Sequence, residues 1–206
     1  MHKTSRTRLV WCSPLILWCL ILGGSTIAGE TTALPIQRCP ATAVIRFAGT
    51  STLHDFGGEL PSQPFALVLS NGTWSASADV LSGRMATASE GRDRNMHRML
   101  ATNDFPQIHG EVALAPVPAG NNPVTNAVLL LTIRNQTNAV PVSIRDWKES
   151  RQDIRFHASW NVSLKQYGLK APSVAGIVRV GDRVRLEADV VATKPSSTSD
   201  KAKISP

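Results

Sequence analysis

Residues 154–164, IRFHASWNVSL, alternate strictly between apolar and polar side chains. Successive side chains of a β-strand point to opposite faces, so the pattern predicts a long strand with one buried and one solvated face. Residues 73–82 and 183–190 repeat the alternation. The apolar face of the first stretch carries Ile154, Phe156, Ala158, Trp160, Val162 and Leu164.

Shorter apolar segments extend this strand pattern over most of the chain. They predict further strands at residues 44–49, 65–69, 108–114, 127–134 and 140–144. Polar turn residues at 135–138 predict one hairpin. Residues 174–180 precede Gly181 and Asp182, which predicts a second hairpin at the end of the domain.

One segment, residues 91–101, has helical periodicity. Met96, Met99 and Leu100 recur there at spacings of three and four residues, and the pattern ends before Asn103 and Pro106. Many antiparallel strands with one short helix predict an all-β barrel or sandwich. The barrel is favoured because a strand of about 11 residues exceeds the usual 5 or 6, and eight strands enclose room for one small ligand.

The N-terminus has the order of a secretory signal peptide. Lys3, Arg6 and Arg8 precede an apolar run at 9–22 and small residues up to Ala28. The run has about 14 residues, whereas a membrane span needs about 20. We therefore expect a signal peptide at 1–28, a lead-in at 29–38, one domain at 39–193 and a disordered tail at 194–206. The mature protein would be periplasmic or secreted.

Charge and cysteine content limit the function classes. The formal charge is +7, but residues 29–193 carry 16 basic and 14 acidic side chains, which disfavours nucleic acid as a partner. Signal cleavage would leave Cys39 as the last of three cysteines, so we expect no intramolecular disulfide. Whether the chain pairs with itself stays open.

The sequence contains few signs of catalysis. His54 and Asp55 are adjacent, and neighbouring strand residues point to opposite faces, so a structural turn before Gly57 and Gly58 is favoured over a proton relay. His54, His97, His109 and His157 have no metal-ligand spacing. We therefore predict no catalytic residue, no metal and no cofactor, and a protein that is not an enzyme.

Four motifs occur in an order that resembles the YceI-like family. They are STLHDFGGEL at 51–60, SEGRDRNMHRMLATNDFPQIHGEV at 89–112, IRNQTNAVPVSI at 133–144 and LKQYGLKAP at 164–172. The resemblance spans roughly residues 39–192. It implies an exported, lipocalin-like antiparallel barrel of eight strands, with a short helix near its mouth. Its apolar interior would bind a long-chain isoprenoid or another amphipathic lipid.

Such a barrel must keep a cavity instead of a filled core. Ala76, Ala78 and Ala158 are small residues on apolar faces, which leaves room for a chain. We assign the headgroup to His54, Arg92 and His97. The predicted lipid contacts are Phe47, Phe56, Trp74, Met85, Met96, Met99, Leu100, Phe105, Phe156 and Trp160.

Three functions follow in order of preference. The first is a carrier for an isoprenoid, quinone-like or other amphipathic lipid; the others are a lipid- or quinone-modifying envelope enzyme and a filled-barrel interaction module.

Arg92, Arg94 and Arg98 form a basic cluster. They could hold an anionic headgroup, touch a membrane surface transiently, or form a solvated helix face.

Overall fold

The computed structural model describes residues 36–114, 125–171, 173–174 and 178–195. The predicted signal peptide and the tail beyond residue 195 lie outside these ranges. One helix is described, α1 (Glu90–Leu100). The strands are β1 Gln37–Ser51, β2 Phe56–Pro61, β3 Phe65–Ser70, β4 Thr73–Leu81, β5 Gln107–Leu114, β6 Thr125–Ile133, β7 Gln136–Glu149, β8 Asp153–Ser163, β9 Ser173–Val174 and β10 Val178–Thr193.

The strands form one closed antiparallel sheet. From β3 to β8 each strand pairs with the next one in the chain, β8 pairs with β10, and β10 pairs back onto β1. The other edge of β1 pairs with β2 along residues 44–49 and with β3 along 37–41. Because β2 and β3 share that edge, they are two halves of one interrupted wall strand. The predicted eight-stranded barrel is therefore confirmed.

The helix and the loop before it fill the gap left by the interruption. The Ser62 amide donates to the Ala43 carbonyl at 2.8 Å, while Gln63 donates instead to Asp79 on β4 at 2.8 Å. β2 itself pairs with β1 and with no other described strand, so its edge on the β4 side is unpaired within the sheet. A Cβ on Gly58 of β2 would overlap with the Ala86 carbonyl oxygen, so the loop leading into α1 lies directly against β2 at this glycine.

The two ends of the barrel differ. At one end, here called the helix end, lie α1, the 52–55 loop and the short 3-10 turn Leu164–Tyr167. At the other, the hairpin end, Trp74 packs against Trp147 with ring centres 6.1 Å apart, and Trp147 stacks on Phe156 at 5.0 Å. These rings fill the interior at the hairpin end.

The turn of the predicted terminal hairpin is misplaced, because the antiparallel pairing is between β9 and the start of β10, at Val174 and Val178. Gly181 and Asp182 lie inside β10, which continues through them without a turn. Asp182 accepts hydrogen bonds from the Ser163 hydroxyl at 2.6 Å and the Lys165 amide at 2.9 Å. It therefore holds the 3-10 turn Leu164–Tyr167, which follows β8. A Cβ on Gly181 would lie 2.5 Å from Thr50 Oγ1, so glycine serves close strand approach there.

The other predicted elements are present with different bounds. The helix, predicted at 91–101, begins at Glu90 and ends at Leu100. The β6–β7 hairpin turns at Arg134 and Asn135, one residue earlier than the predicted turn. β1 and β7 are much longer than the segments predicted for them. β1 continues N-terminally through Pro40, and β7 extends at both ends of the predicted segment 140–144, which already contains Pro141.

The outer wall carries a histidine between two carboxylates. His109 Nδ1 lies 2.8 Å from Asp79 Oδ1, and its Nε2 lies 3.0 Å from Glu111 Oε1. The hydrogen bonds to Glu111 and to Asp79 raise the pKa of His109. A raised folded-state pKa stabilises the protein below about pH 6.5, and this stabilisation is lost as the pH rises through the folded-state pKa.

We expect His109→Gln to lower the free energy of unfolding at pH 6 and to change it less at pH 9. The effect should stay below about 1 kcal/mol, because the side chain is 35% exposed and the ion pairs are screened. Denaturant unfolding at the two pH values measures it. His54→Gln in the exposed 52–55 loop is the matched control. An H109Q effect of equal size at both pH values would contradict the assignment.

Candidate binding cavity

A cavity of about 640 Å³ lies inside the barrel. Its walls are inward-facing side chains of the sheet, and residues of α1 border it at the helix end. Ligand pockets for one small molecule typically measure about 300–1,000 Å³. The barrel interior therefore contains a cavity, contrary to the filled-barrel alternative. Representative wall residues are Ile45, Leu67, Val112, Leu131, Ile144, Val162 and Leu186.

Small residues in register across neighbouring strands create this space. Ala78 of β4 pairs with Gly110 of β5, and Ala158 of β8 pairs with Ala188 of β10. All four line the cavity, as does Ala76. Larger side chains at paired positions would meet across the strand boundary and occupy the interior. Room for a ligand thus depends on which small residues face each other.

The cavity is apolar along most of its length and polar at one end. Among the described lining residues, the side chains with a polar group other than the Trp160 indole are Ser51, His54, Ser62, Arg92 and Asn95. Ser62 Oγ is occupied, since it accepts from the Ala43 amide at 2.9 Å. The other four come from the end of β1, the 52–55 loop and α1, which belong to the helix end. The interior can therefore solvate a hydrocarbon chain but not a buried charge.

Most predicted site residues lie in the cavity wall. α1 presents Arg92, Asn95, Met96 and Met99 to it, at the spacing of one helix face. His54 lines it from the neighbouring loop. The predicted lipid contacts that line it are Phe47, Phe56, Met85, Met96, Met99, Leu100, Phe156 and Trp160.

Three predicted residues lie elsewhere. Trp74 faces inward, but it lies in the aromatic cluster of the hairpin end, beyond the cavity. The Phe105 ring packs against the Arg134 guanidinium, whose carbon is 5.3 Å from the ring centre. His97 Nε2 donates to the Met85 carbonyl at 2.8 Å, so this histidine ties α1 to the loop before it.

Sequence reasoning predicted the strand β6 but assigned none of its residues to the site. Leu129, Leu131 and Ile133 of β6 line the cavity, while Val128 and Leu130 point outward and are exposed. Both faces of β6 are therefore apolar, which removes the alternation that marks inward-facing residues. Leu164 continues the apolar alternation of β8 into the 3-10 turn, whereas Leu169, which also lines the cavity, lies outside any strand and had no periodic signal.

Cys39 lies fully buried on β1, away from the cavity lining. Burial raises the pKa of its thiol, which disfavours the reactive thiolate. Within the described ranges, no three His, Cys, Asp or Glu side chains are placed to hold a metal ion. Nor does any described helix combine the length and hydropathy that a membrane span requires.

Solved structures with the same architecture exist. A polyisoprenoid binding domain from Saccharophagus degradans, implicated in plant cell wall breakdown, superimposes with a TM-score of 0.59 at 11% identity, covering 78% of this chain and 100% of that one. Burkholderia cenocepacia BcnA gives 0.54 at 14% identity, covering 73% and 96%. No family model and no curated protein sequence matches this chain. The chain therefore has the closed antiparallel barrel fold of the YceI-like family, which its motifs resemble.

Proposed function

We propose that the protein is an exported carrier that binds one long-chain amphipathic lipid, an isoprenoid or quinone-like molecule, inside its barrel. The observation that carries the proposal is the apolar cavity of about 640 Å³ with the side chains of Ser51, His54, Arg92 and Asn95 at one end. An amphiphile has the same asymmetry. The similarly folded Saccharophagus domain is described as polyisoprenoid binding, which supports the same class of ligand.

Burial of the chain would supply the binding energy. Each sequestered CH₂ contributes about 0.8 kcal/mol, so ten buried carbons contribute roughly 8 kcal/mol before ordering costs. Phe47, Phe156 and Trp160 offer large apolar surfaces to such a chain. Met85, Met96 and Met99 offer flexible thioethers that adapt to an irregular tail.

Release would require movement of α1 at the helix end. The helix is held to the loop before it by Asp93, which accepts from the Thr87 amide at 2.8 Å and the Thr87 hydroxyl at 2.6 Å, and by the bond from His97 to Met85. These few polar contacts are the ones that an opening motion would break. In this proposal the protein carries the lipid without changing it chemically. The signal-like residues 1–28 support a location in the periplasm or outside the cell.

A chain-length series tests the proposal. Straight-chain alcohols from eight to eighteen carbons, kept below their solubility limits, would be titrated calorimetrically into the mature protein. We expect affinity to rise about two- to fourfold per methylene and to level off once the chain fills the cavity. Absence of binding, or an affinity independent of chain length, would contradict the carrier function.

A further inference from the structure

We infer that the helix end selects an oxyanionic headgroup, a phosphate monoester or a carboxylate, and that Arg92 is the residue that binds it. The inference rests on the proposed carrier function and narrows its ligand class. The cargo would enter tail first, with its negative charge left at the helix end.

Arg92 is held where a headgroup would lie. It belongs to the first turn of α1, lines the cavity and is half-buried. Its guanidinium carbon lies 5.3 Å from the centre of the Phe56 ring, which also lines the cavity. A cation–π contact with a ring uses none of the five N–H donors, which lie along the edge of the guanidinium. That edge matches the two oxygens of a carboxylate or phosphate.

The charge of Arg92 is not neutralised by its neighbours. In the described part of the chain Arg92 forms no salt bridge, and its Nη1 makes one long contact of 3.4 Å to the Thr87 carbonyl. The two acids of α1 are otherwise engaged: Asp93 accepts from Thr87, and Glu90 pairs with Arg94 at 3.5 Å. A partly buried cation without a carboxylate partner favours an anion from outside.

Asn95 adds a second polar group beside Arg92. It lines the cavity one turn further along α1, and its Oδ1 accepts from Arg98 Nη1 at 3.2 Å. Its amide nitrogen can donate to an oxyanion. Ser51 Oγ, by contrast, already bonds the His54 backbone, donating to its carbonyl at 2.6 Å and accepting from its amide at 3.2 Å. A neutral alcohol or quinone would gain the tail burial without the pairing to Arg92.

Two probes with the same tail separate headgroup from chain. Farnesyl phosphate and farnesol would be titrated into the wild type, Arg92→Gln and Arg94→Gln at low salt. We expect the wild type to bind farnesyl phosphate roughly tenfold more tightly than farnesol. R92Q should lose this preference, because its affinity for farnesyl phosphate falls more than its affinity for farnesol. R94Q removes the same charge from the exposed face of α1 and should keep the preference.

The outcomes distinguish the two proposals. Equal wild-type affinity for both probes overturns the headgroup inference and leaves the carrier function standing, whereas binding of neither overturns the carrier function. Equal losses in R92Q and R94Q would overturn the assignment to Arg92, because they indicate diffuse charge attraction. Inorganic phosphate alone is the last probe: displacement of farnesyl phosphate at micromolar concentration would show a free-anion site and overturn the lipid headgroup.

Discussion

Substituting tryptophan for Ala78 should lower lipid affinity by at least about a hundredfold while the barrel stays folded. Ala78 faces the cavity and pairs with Gly110, so neither β4 nor β5 has a large side chain pointing inward at this level, and Leu129 of β6 is the nearest side chain to Gly110. An indole there would occupy volume that the tail needs, and loss of a few buried methylenes already costs about 3 kcal/mol. Stability should change little, because the indole fills existing space. The measurement is calorimetric titration with a long-chain alcohol.

Ala139→Trp provides the matched control for this substitution. Ala139 lies on β7, where it pairs with Leu130, and its side chain is exposed on the outer face of the barrel. The same indole added outside the wall should leave lipid affinity within about twofold of the wild type. If A78W bound lipid as well as A139W did, the barrel interior could not be the binding site.

Replacing Trp74 with alanine should lower the free energy of unfolding by about 3–5 kcal/mol. Trp74 is 6% exposed and packs against Trp147, which in turn stacks on Phe156. Removal of the indole leaves a void in the cluster that fills the hairpin end, and the closed wall restricts collapse into it. Guanidinium unfolding monitored by circular dichroism gives the value.

Leu53→Ala controls for simple loss of apolar surface. Leu53 is 59% exposed in the 52–55 loop, so its truncation should change the free energy of unfolding by less than about 0.5 kcal/mol. A W74A loss as small as that of L53A would mean that the aromatic cluster does not hold the hairpin end together.

The fold was predictable because strand alternation is a local signal. β4 and β8 show it over nearly their full lengths, and α1 shows the helical period, so the main elements could be located without tertiary information. The turn predicted at Gly181 and Asp182 is absent, because β10 continues through both residues. Glycine and aspartate favour turns locally, but here the contacts with Thr50 and Ser163, both distant in sequence, decide the conformation.

The cavity could be predicted only in part. Alternation gives the face on which Trp74 and Trp160 lie, but not their depth along the barrel, and depth separates the filled hairpin end from the open interior. Depth follows from strand register, as does the pairing of Ala158 with Ala188. Such pairings link positions far apart in sequence. The position of Arg92 over Phe56 likewise depends on how α1 docks on the barrel.

Native mass spectrometry of the mature protein, purified from cells that express the full chain, shows whether the barrel holds a lipid. We expect one apolar adduct of a few hundred daltons per chain, released into organic solvent and identified there, with A78W isolated without it. A mass equal to that of the protein alone, unchanged after incubation with prenyl and acyl lipids, would contradict the claim that this barrel carries a lipid.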